Sequence, residues 1–205
     1  TMVNILAIIL LGIVVLTSME NLPHGTAKQI LLFSLIPAGL LLLAISLPLQ
    51  AGVATAVALR MGRPILFRQQ RIGLQGRSFT LLKFRTMSEG TDADGERLTA
   101  LGRLLRRTSL DELPSLVNVV CGDLSLVGPR PLLPEYLPLY DSVQARRHEV
   151  RPGITGLWQV SGRSDLSWED SVRLDMFYVE NWSMISDLLI ALKTVRAMVG
   201  HSGAY

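Results

Sequence analysis

A chain of 205 residues, 49% apolar and 18% charged, is long enough for one ordinary domain with membrane segments and too short for two large domains. Its net charge of +3 suits anionic partners such as nucleic acid, lipid headgroups or nucleotide phosphates, and its one cysteine, Cys121, excludes an intrachain disulfide and a cysteine-built zinc site. The charge is unevenly spread: only Lys28 among the 20 Lys and Arg precedes Arg60, and only Glu20 among the 17 Asp and Glu, so the chain changes character near residue 60.

Residues 1–19 carry no charge, and MVNILAIILLGIVVL is close to the length that crosses a bilayer core, so an N-terminal transmembrane helix is expected there. The segment lacks the basic start and small-residue cleavage site of a secretory signal. Gln29 to Leu59 is a second uncharged run of 31 residues. As a straight helix it would span roughly 46 Å against a core of ~30 Å, too long for a simple crossing. Pro48, in AISLPLQAG, removes a backbone hydrogen bond inside the run and predicts a bend. Two geometries fit: a kinked helix that crosses, or one that dips into a leaflet, turns at Pro48 and returns. In the second, Lys28, Arg60 and Arg63 share one face, which the positive-inside tendency makes cytoplasmic. Periodicity does not separate the two.

From Gly62 the pattern becomes that of a water-facing domain. PILFRQQRIGLQGRSFTLLKFRTM alternates around glycines 73 and 76 and predicts a β-hairpin. EGTDADGER reads as a polar loop, and LTALGRLLRRTS as an amphipathic helix ending near Thr108. SLDELPSLVNVVCG reads as a cap at Ser109 or Asp111, then a helix stopped by Gly122. VGPRPLLPEYLPLY is extended or turning. A helix is expected from about Trp168, followed by an amphipathic one, SMISDLLIALKTVRAMVG, with Trp182 placed for a headgroup boundary.

Adjacent acids such as Asp111 and Glu112 ordinarily cap a helix. Here they lie among Lys83 and Arg85 (LKFRTM), Arg106, Arg130 between two prolines (GPRP), Arg151 (RPGITG) and Arg163 (SGR). Rigid proline settings and close-approach glycines around arginines suit anion recognition. A carboxylate pair among fixed cations suits phosphoryl chemistry: one acid holds Mg²⁺ against phosphate oxygens and the other attacks phosphorus or orients an attacker. Nearby arginine and Mg²⁺ are expected to lower the aspartate's pKa and keep it ionised. No phosphate-binding G-x-x-x-x-G-K-[ST] loop and no G-x-S-x-G elbow is present, and His24, His148 and His201 are too dispersed in sequence for an obvious metal set.

KFRTM, TSLDELPSLVNVVCGDLSLVGPRPLLPEYLPLY, RRHEVRPGITGLWQVSGR and SWEDSVRLDMFYVENWS resemble, from about Pro64 to Gly203, the bacterial sugar transferase family in its small monotopic phosphoglycosyl transferase form. The resemblance implies transfer of a sugar phosphate from a UDP-sugar to polyprenyl (undecaprenyl) phosphate, with release of UMP. It places the enzyme at the cytoplasmic face of the bacterial inner membrane, at the first membrane step of glycoconjugate assembly. It makes Asp111 the nucleophile that forms a covalent phosphosugar intermediate and Glu112 a ligand of the cofactor Mg²⁺. It matches Lys83, Arg106, Arg130 and Arg163 to basic substrate-binding positions, Arg163 at the nucleotide end, and Arg151, Asp175 and Asp187 to further family positions. Arg85, beside Lys83, joins the expected substrate-binding set.

The implied fold is membrane-associated α+β, mainly helical. It comprises residues 1–19 as an added transmembrane helix, 28–61 as a re-entrant helix broken at Pro48, and 62–205 as a cytoplasmic catalytic domain with a small hairpin and amphipathic interfacial helices. The family's break is typically Ser-Pro; here Leu47 precedes Pro48 and Ser46 stands one residue earlier. Phe33 and Ser34 replace the family's acidic residue early in the helix. Membrane lipids are the other implied partner, a homodimer is left open, and nucleic acid is disfavoured because the basic residues are not interleaved with stacking aromatics. Two readings compete: direct transfer with Asp111 as a base, and a catalytically silent scaffold of the same fold.

Overall fold

The computed structural model describes residues 24–88, 90, 97–162 and 166–200, without the side chains of 24–36, 139 and 198–200. The expected helix at 1–19 and most of the polar loop before Arg97 lie outside the described residues. Helix α1, His24–Met61, is one helical run with Pro37 and Pro48 inside it. The expected break at Pro48 is therefore not an end of the helix. Polar side chains gather around that proline: the Ser46 hydroxyl donates to Leu43 O (3.0 Å) and accepts from Gln50 Nε2 (2.9 Å). Within α1, Pro37–Met61 is long and apolar enough to cross a membrane, and Leu40, Leu41, Ile45, Leu47, Leu49 and Leu59 are exposed.

The expected hairpin forms. Strands β1, Leu66–Ile72, and β2, Ser78–Phe84, pair antiparallel from Leu66↔Phe84 to Ile72↔Ser78. A short 3-10 turn, Leu74–Gly76, joins them. Side chains opposite one another share a face, so Arg71 and Gln69 lie on the same side as Phe79, Leu81 and Lys83. The hairpin's other face contributes Phe84, which joins Val53 and Val57 of α1 in a core cluster with Leu105.

Helix α2, Ala100–Arg107, begins at Thr99, whose hydroxyl accepts from Gly102 N–H (2.9 Å) and donates to Thr86 O (3.1 Å). The helix crosses so close to Thr86 that a Cβ at Gly102 would fall 1.9 Å from its carbonyl oxygen. The amphipathic helix expected to end near Thr108 is this one. After it comes a 3-10 segment, Leu110–Ser115, and helix α3, Leu116–Val120, ended by Gly122 at φ +83°. Asn118 on α3 is buried: its Nδ2 donates to Thr80 O (2.8 Å) and its Oδ1 accepts from Leu82 N–H (3.2 Å), fastening α3 to the outer edge of β2.

Strand β3, Ser125–Val127, and strand β4, Gly153–Thr155, form a parallel pair, an element the sequence did not announce. Its strands are three residues long and carry no legible alternation. Glycine allows the contact: a Cβ on Gly153 would lie 2.1 Å from Gly128 N. Between them run the 3-10 turns Pro134–Leu139 and Arg146–Glu149, with the single-turn α4, Ser142–Ala145. Helices α5, Leu157–Ser161, α6, Trp168–Glu180, and α7, Met184–Gly200, complete the chain and bury Tyr178 and Ile190 against Val127. The architecture is mostly helical with two small sheets. Gly102→Ala is expected to destabilise the fold by about 1–3 kcal/mol through overpacking against Thr86, read as a lowered unfolding temperature of the purified protein.

Candidate functional site

The turn after α2 sets up the site. Ser109 adopts a left-handed conformation, φ 55° and ψ 18°, and its N–H donates to Arg106 O (3.1 Å), so the chain reverses sharply before the two acids. Ser109 is the N-cap by position but makes no side-chain capping bond. A non-glycine residue held there costs of order 1–3 kcal/mol, which the surrounding packing must offset. The strain delivers Asp111 and Glu112 at the start of a 3-10 turn, where Leu110 and Leu113 pack on the α1 cluster. The Ser115 hydroxyl donates to Glu112 O (2.6 Å) and tightens the turn.

Lys83 and Glu112 meet across β2, Nζ to Oε1 at 2.5 Å, and Arg130 approaches the same oxygen at 3.6 Å. Arg106, on the last turn of α2, is held by Nε donating to Thr86 Oγ1 (3.1 Å) and acts electrostatically on Asp111. The structure thus brings together five of the expected residues: Asp111, Glu112, Lys83, Arg106 and Arg130. Three of them, Lys83, Glu112 and Arg130, line a cleft together with Arg71 and Gly153.

Asp111 is only 7% exposed, and its carboxyl is pushed up to about 6, first by burial and then by Glu112, against the opposing pull of Lys83 and Arg106. The expectation that nearby cations would hold it low is therefore not met by the protein alone. Desolvation and a like charge next door outweigh two cations, one of which is already engaged by Glu112.

The remaining expected residues stand elsewhere. Arg85 is buried, and its guanidinium donates to Met61 O, Gly62 O (2.9 Å) and Arg63 O (3.3 Å), so it caps the C-terminus of α1. Arg151 donates Nε to Gly122 O (2.8 Å), tying the approach to β4 onto the end of α3, and burial lowers its pKa. Asp175 is 2% exposed and pairs with Arg147 at 2.5 Å; burial pushes its carboxyl up to about 6 despite that partner. Asp187 accepts from Tyr178 Oη (2.8 Å) and Trp182 Nε1 (3.2 Å), and burial likewise pushes it up to about 6. Arg163 lies outside the described residues.

Two arginines join the picture without having been singled out. Arg71 lines the cleft, donates Nη1 to Pro131 O (3.0 Å), and has its pKa lowered by burial and then by Arg130. Its place on the Lys83 face follows from the hairpin's alternation once the register is known. Arg147, in ARRHEV, looks like any surface arginine in sequence and is 4% exposed in the fold.

Residues 27–201 match the family described as bacterial sugar transferase. The chain is 55% identical over 153 residues to an uncharacterized sugar transferase, EpsL, of Bacillus subtilis, covering 72% of this chain and 76% of that one. It is 39% identical to the exopolysaccharide production protein ExoY of Rhizobium meliloti, over 88% and 89% of the two chains. It is 41% identical to the UDP-glucose:undecaprenyl-phosphate glucose-1-phosphate transferase of Caulobacter vibrioides, over 82% and 69%.

The electrostatics of the cleft are directly measurable. With carboxyl-labelled aspartate, carbon NMR titration should show the Asp111 pKa falling in Glu112→Gln and rising in Lys83→Met; shifts in the reverse directions would contradict this arrangement of charges.

Proposed function

We propose that this chain, which belongs to the bacterial sugar transferase family, moves a sugar phosphate from a UDP-sugar to a polyprenyl phosphate in two displacements on Asp111. One observation carries the reading: two adjacent carboxylates, one deeply buried, face Lys83, Arg106 and Arg130 beside a cation-lined cleft. The names of the relatives support it, since the Caulobacter protein is named for transfer from UDP-glucose to undecaprenyl phosphate.

In the first step an Asp111 carboxylate oxygen attacks the phosphorus that bears the sugar. The diphosphate P–O bond breaks and UMP leaves with the bridging oxygen. In the second step a phosphate oxygen of the lipid attacks the same phosphorus, the acyl-phosphate P–O bond breaks, and the Asp111 carboxylate is regenerated. Arg130 and Lys83 stand where they can neutralise charge on the phosphates. Arg71 supplies a further positive charge on the cleft wall.

Asp111 and Glu112 fit a magnesium ion. Mg²⁺ is commonly held by one or two carboxylates together with substrate phosphates, and the pair offers such oxygens. Burial first, and then Glu112, pushes the Asp111 carboxyl up, and a bound divalent ion would act in the opposite direction. Among the described residues no group of three His, Cys, Asp or Glu forms a self-sufficient cage. The ion when bound would add charge neutralisation on the diphosphate.

Helix α1 serves, in this reading, as a re-entrant membrane anchor. Gly39 in its first half lies against Val119 and Val120, while Val53 and Val57 in its second half pack with Phe84 and Leu105. A straight helix separates residues 39 and 57 by roughly 27 Å. Leu81, which clusters with Val119, is only three residues from Phe84 on β2, about 10 Å of strand. A bend at Pro48 would let both contacts fall on the same small body, with Ser46 and Gln50 hydrogen-bonded beside the proline. The exposed apolar side chains Ile185, Leu189, Leu192 and Val195 of α7 offer a second surface for the membrane. The catalytic body would then sit on the cytoplasmic face.

Nanodisc-embedded protein with undecaprenyl phosphate, Mg²⁺ and a panel of UDP-sugars should release UMP with at least one donor. Asp111→Asn should abolish release while preserving the fold, and mass spectrometry should find a phosphosugar on Asp111 when the acceptor is omitted. Turnover without any trapped adduct would favour direct transfer, and silence across donors would favour the scaffold. Because Asp111 must be ionised to attack, the single-turnover rate should fall about tenfold per pH unit below about 6 in the metal-free limit and at lower pH as Mg²⁺ is raised. In a Cys121→Ser background, cysteines at Lys28 and Met61 should be labelled from the same side of the membrane; labelling from opposite sides rules out the re-entrant anchor.

A further inference from the structure

Arg130 stands on a backbone ribbon, 127–132, that is fastened by its carbonyls. Val127 O lies 3.2 Å from Tyr178 Oη and shares that hydroxyl's one proton with Asp187, Pro129 O accepts from Gly153 N–H (3.0 Å), and Arg130 O accepts from Arg147 Nη2 (3.0 Å). Pro131 O accepts from Arg71 Nη1 (3.0 Å) and Leu132 O from Ile72 N–H (3.0 Å). Prolines at 129 and 131 remove the two N–H groups that flank Arg130, so carbonyls are what remains for fixing the ribbon there. Donors therefore reach it from the hairpin, from β4, from the Arg146–Glu149 turn and from α6.

The donor on Arg130 itself is the most unusual. Arg147 is buried, and a buried guanidinium without a counter-charge is not tolerated in a protein interior. Asp175 of α6 supplies that charge at 2.5 Å, using the same Nη2 that donates to Arg130 O. Nη1 of Arg147 donates to Tyr140 Oη (3.3 Å), so the fork is held at both ends. The second oxygen of Asp175, Oδ1, is buried and has no partner. Among the described contacts the carboxylate serves Arg147 alone, and nothing connects it directly to the cleft.

We infer that Asp175 is a positioning residue: by holding Arg147 it fixes the Arg130 carbonyl, and so the direction from which the Arg130 guanidinium meets Glu112 and the substrate's phosphates. The inference rests on the proposed reaction for what Arg130 binds, and on the geometry alone for how Arg130 is held.

The test is a double-mutant cycle on the full chain in nanodiscs. The variants are Asp175→Asn, Arg130→Gln and the pair, with Arg147→Lys as the milder probe of the same link; the lysine keeps the ion pair and gives up the forked geometry. UDP binding in the presence of Mg²⁺ and steady-state kinetics are read beside unfolding temperature. Asp175→Asn and Arg147→Lys should each weaken UDP binding and raise KM about tenfold, with a smaller effect on kcat. In the Arg130→Gln background Asp175→Asn should change UDP affinity by less than about twofold, while lowering the unfolding temperature as much as it does in the parent. Equal factors in both backgrounds would reduce Asp175 to a stabiliser of the fold and overturn the inference. So would unchanged affinity in Arg130→Gln. If the parent binds no UDP, the nucleotide-sugar reading fails first, and amide hydrogen exchange over 127–132 still decides the positioning: faster exchange confined to that ribbon in Asp175→Asn sustains it, and unchanged exchange removes it.

Discussion

Two neighbouring carboxylates in a largely buried turn repel each other and lose hydration, and the rest of the catalytic body is organised around making that pair tolerable. The Lys83–Glu112 contact at 2.5 Å is the central interaction. It joins the hairpin to the 3-10 turn, and it leaves Asp111 as the member of the pair with the weaker compensation, pushed up to about 6. An isolated Glu–Lys pair on a surface would contribute little, but a pair largely withdrawn from water is costly to break from one side. The cations come from different elements: Lys83 and Arg71 from the hairpin, Arg106 from α2, Arg130 from the ribbon after β3. No local stretch of chain could supply them, so the site exists only once the hairpin, α2, the 3-10 turn and the ribbon have docked.

That dependence explains why so much hydrogen bonding is spent away from the cleft. Arg85 ties the start of the catalytic body to the last turn of α1, fixing the apolar helix relative to β2. Tyr178 Oη shares its one proton between Asp187 and Val127 O at one end of the ribbon, and Asp175 holds Arg147, which donates to Arg130 O near its middle. These two carboxylates, neither of which lines the cleft, thus act through a neutral or cationic donor on backbone, a rigid relay because Tyr178 and Arg147 are themselves buried.

The sequence showed the hairpin, the amphipathic α2, the turn at Gly122 and the last two helices, because each has a period or a punctuating residue. It also showed Asp111, Glu112, Lys83, Arg106 and Arg130, through short motifs in rigid settings. It did not show the parallel pair β3–β4, since three-residue strands separated by more than twenty residues have no local signature. Arg71 and Arg147 escaped for a related reason: whether an arginine is solvated, lines a cleft or props a carbonyl depends on partners far along the chain. Arg85 is the converse case. Its neighbour Lys83 faces the cleft, and two residues further along the chain the strand has ended and the side chain turns to the α1 carbonyls instead.

Asn118 contributes something beyond holding α3 to the hairpin. By occupying Thr80 O and Leu82 N–H, its carboxamide takes the place of a missing third strand along the free edge of β2. A two-stranded sheet rich in Leu and Phe would otherwise present those groups to any extended chain nearby, the usual route to edge-to-edge association. One side chain therefore doubles as a cap against intermolecular sheet growth, a safeguard of particular value to a protein that also exposes a long apolar helix.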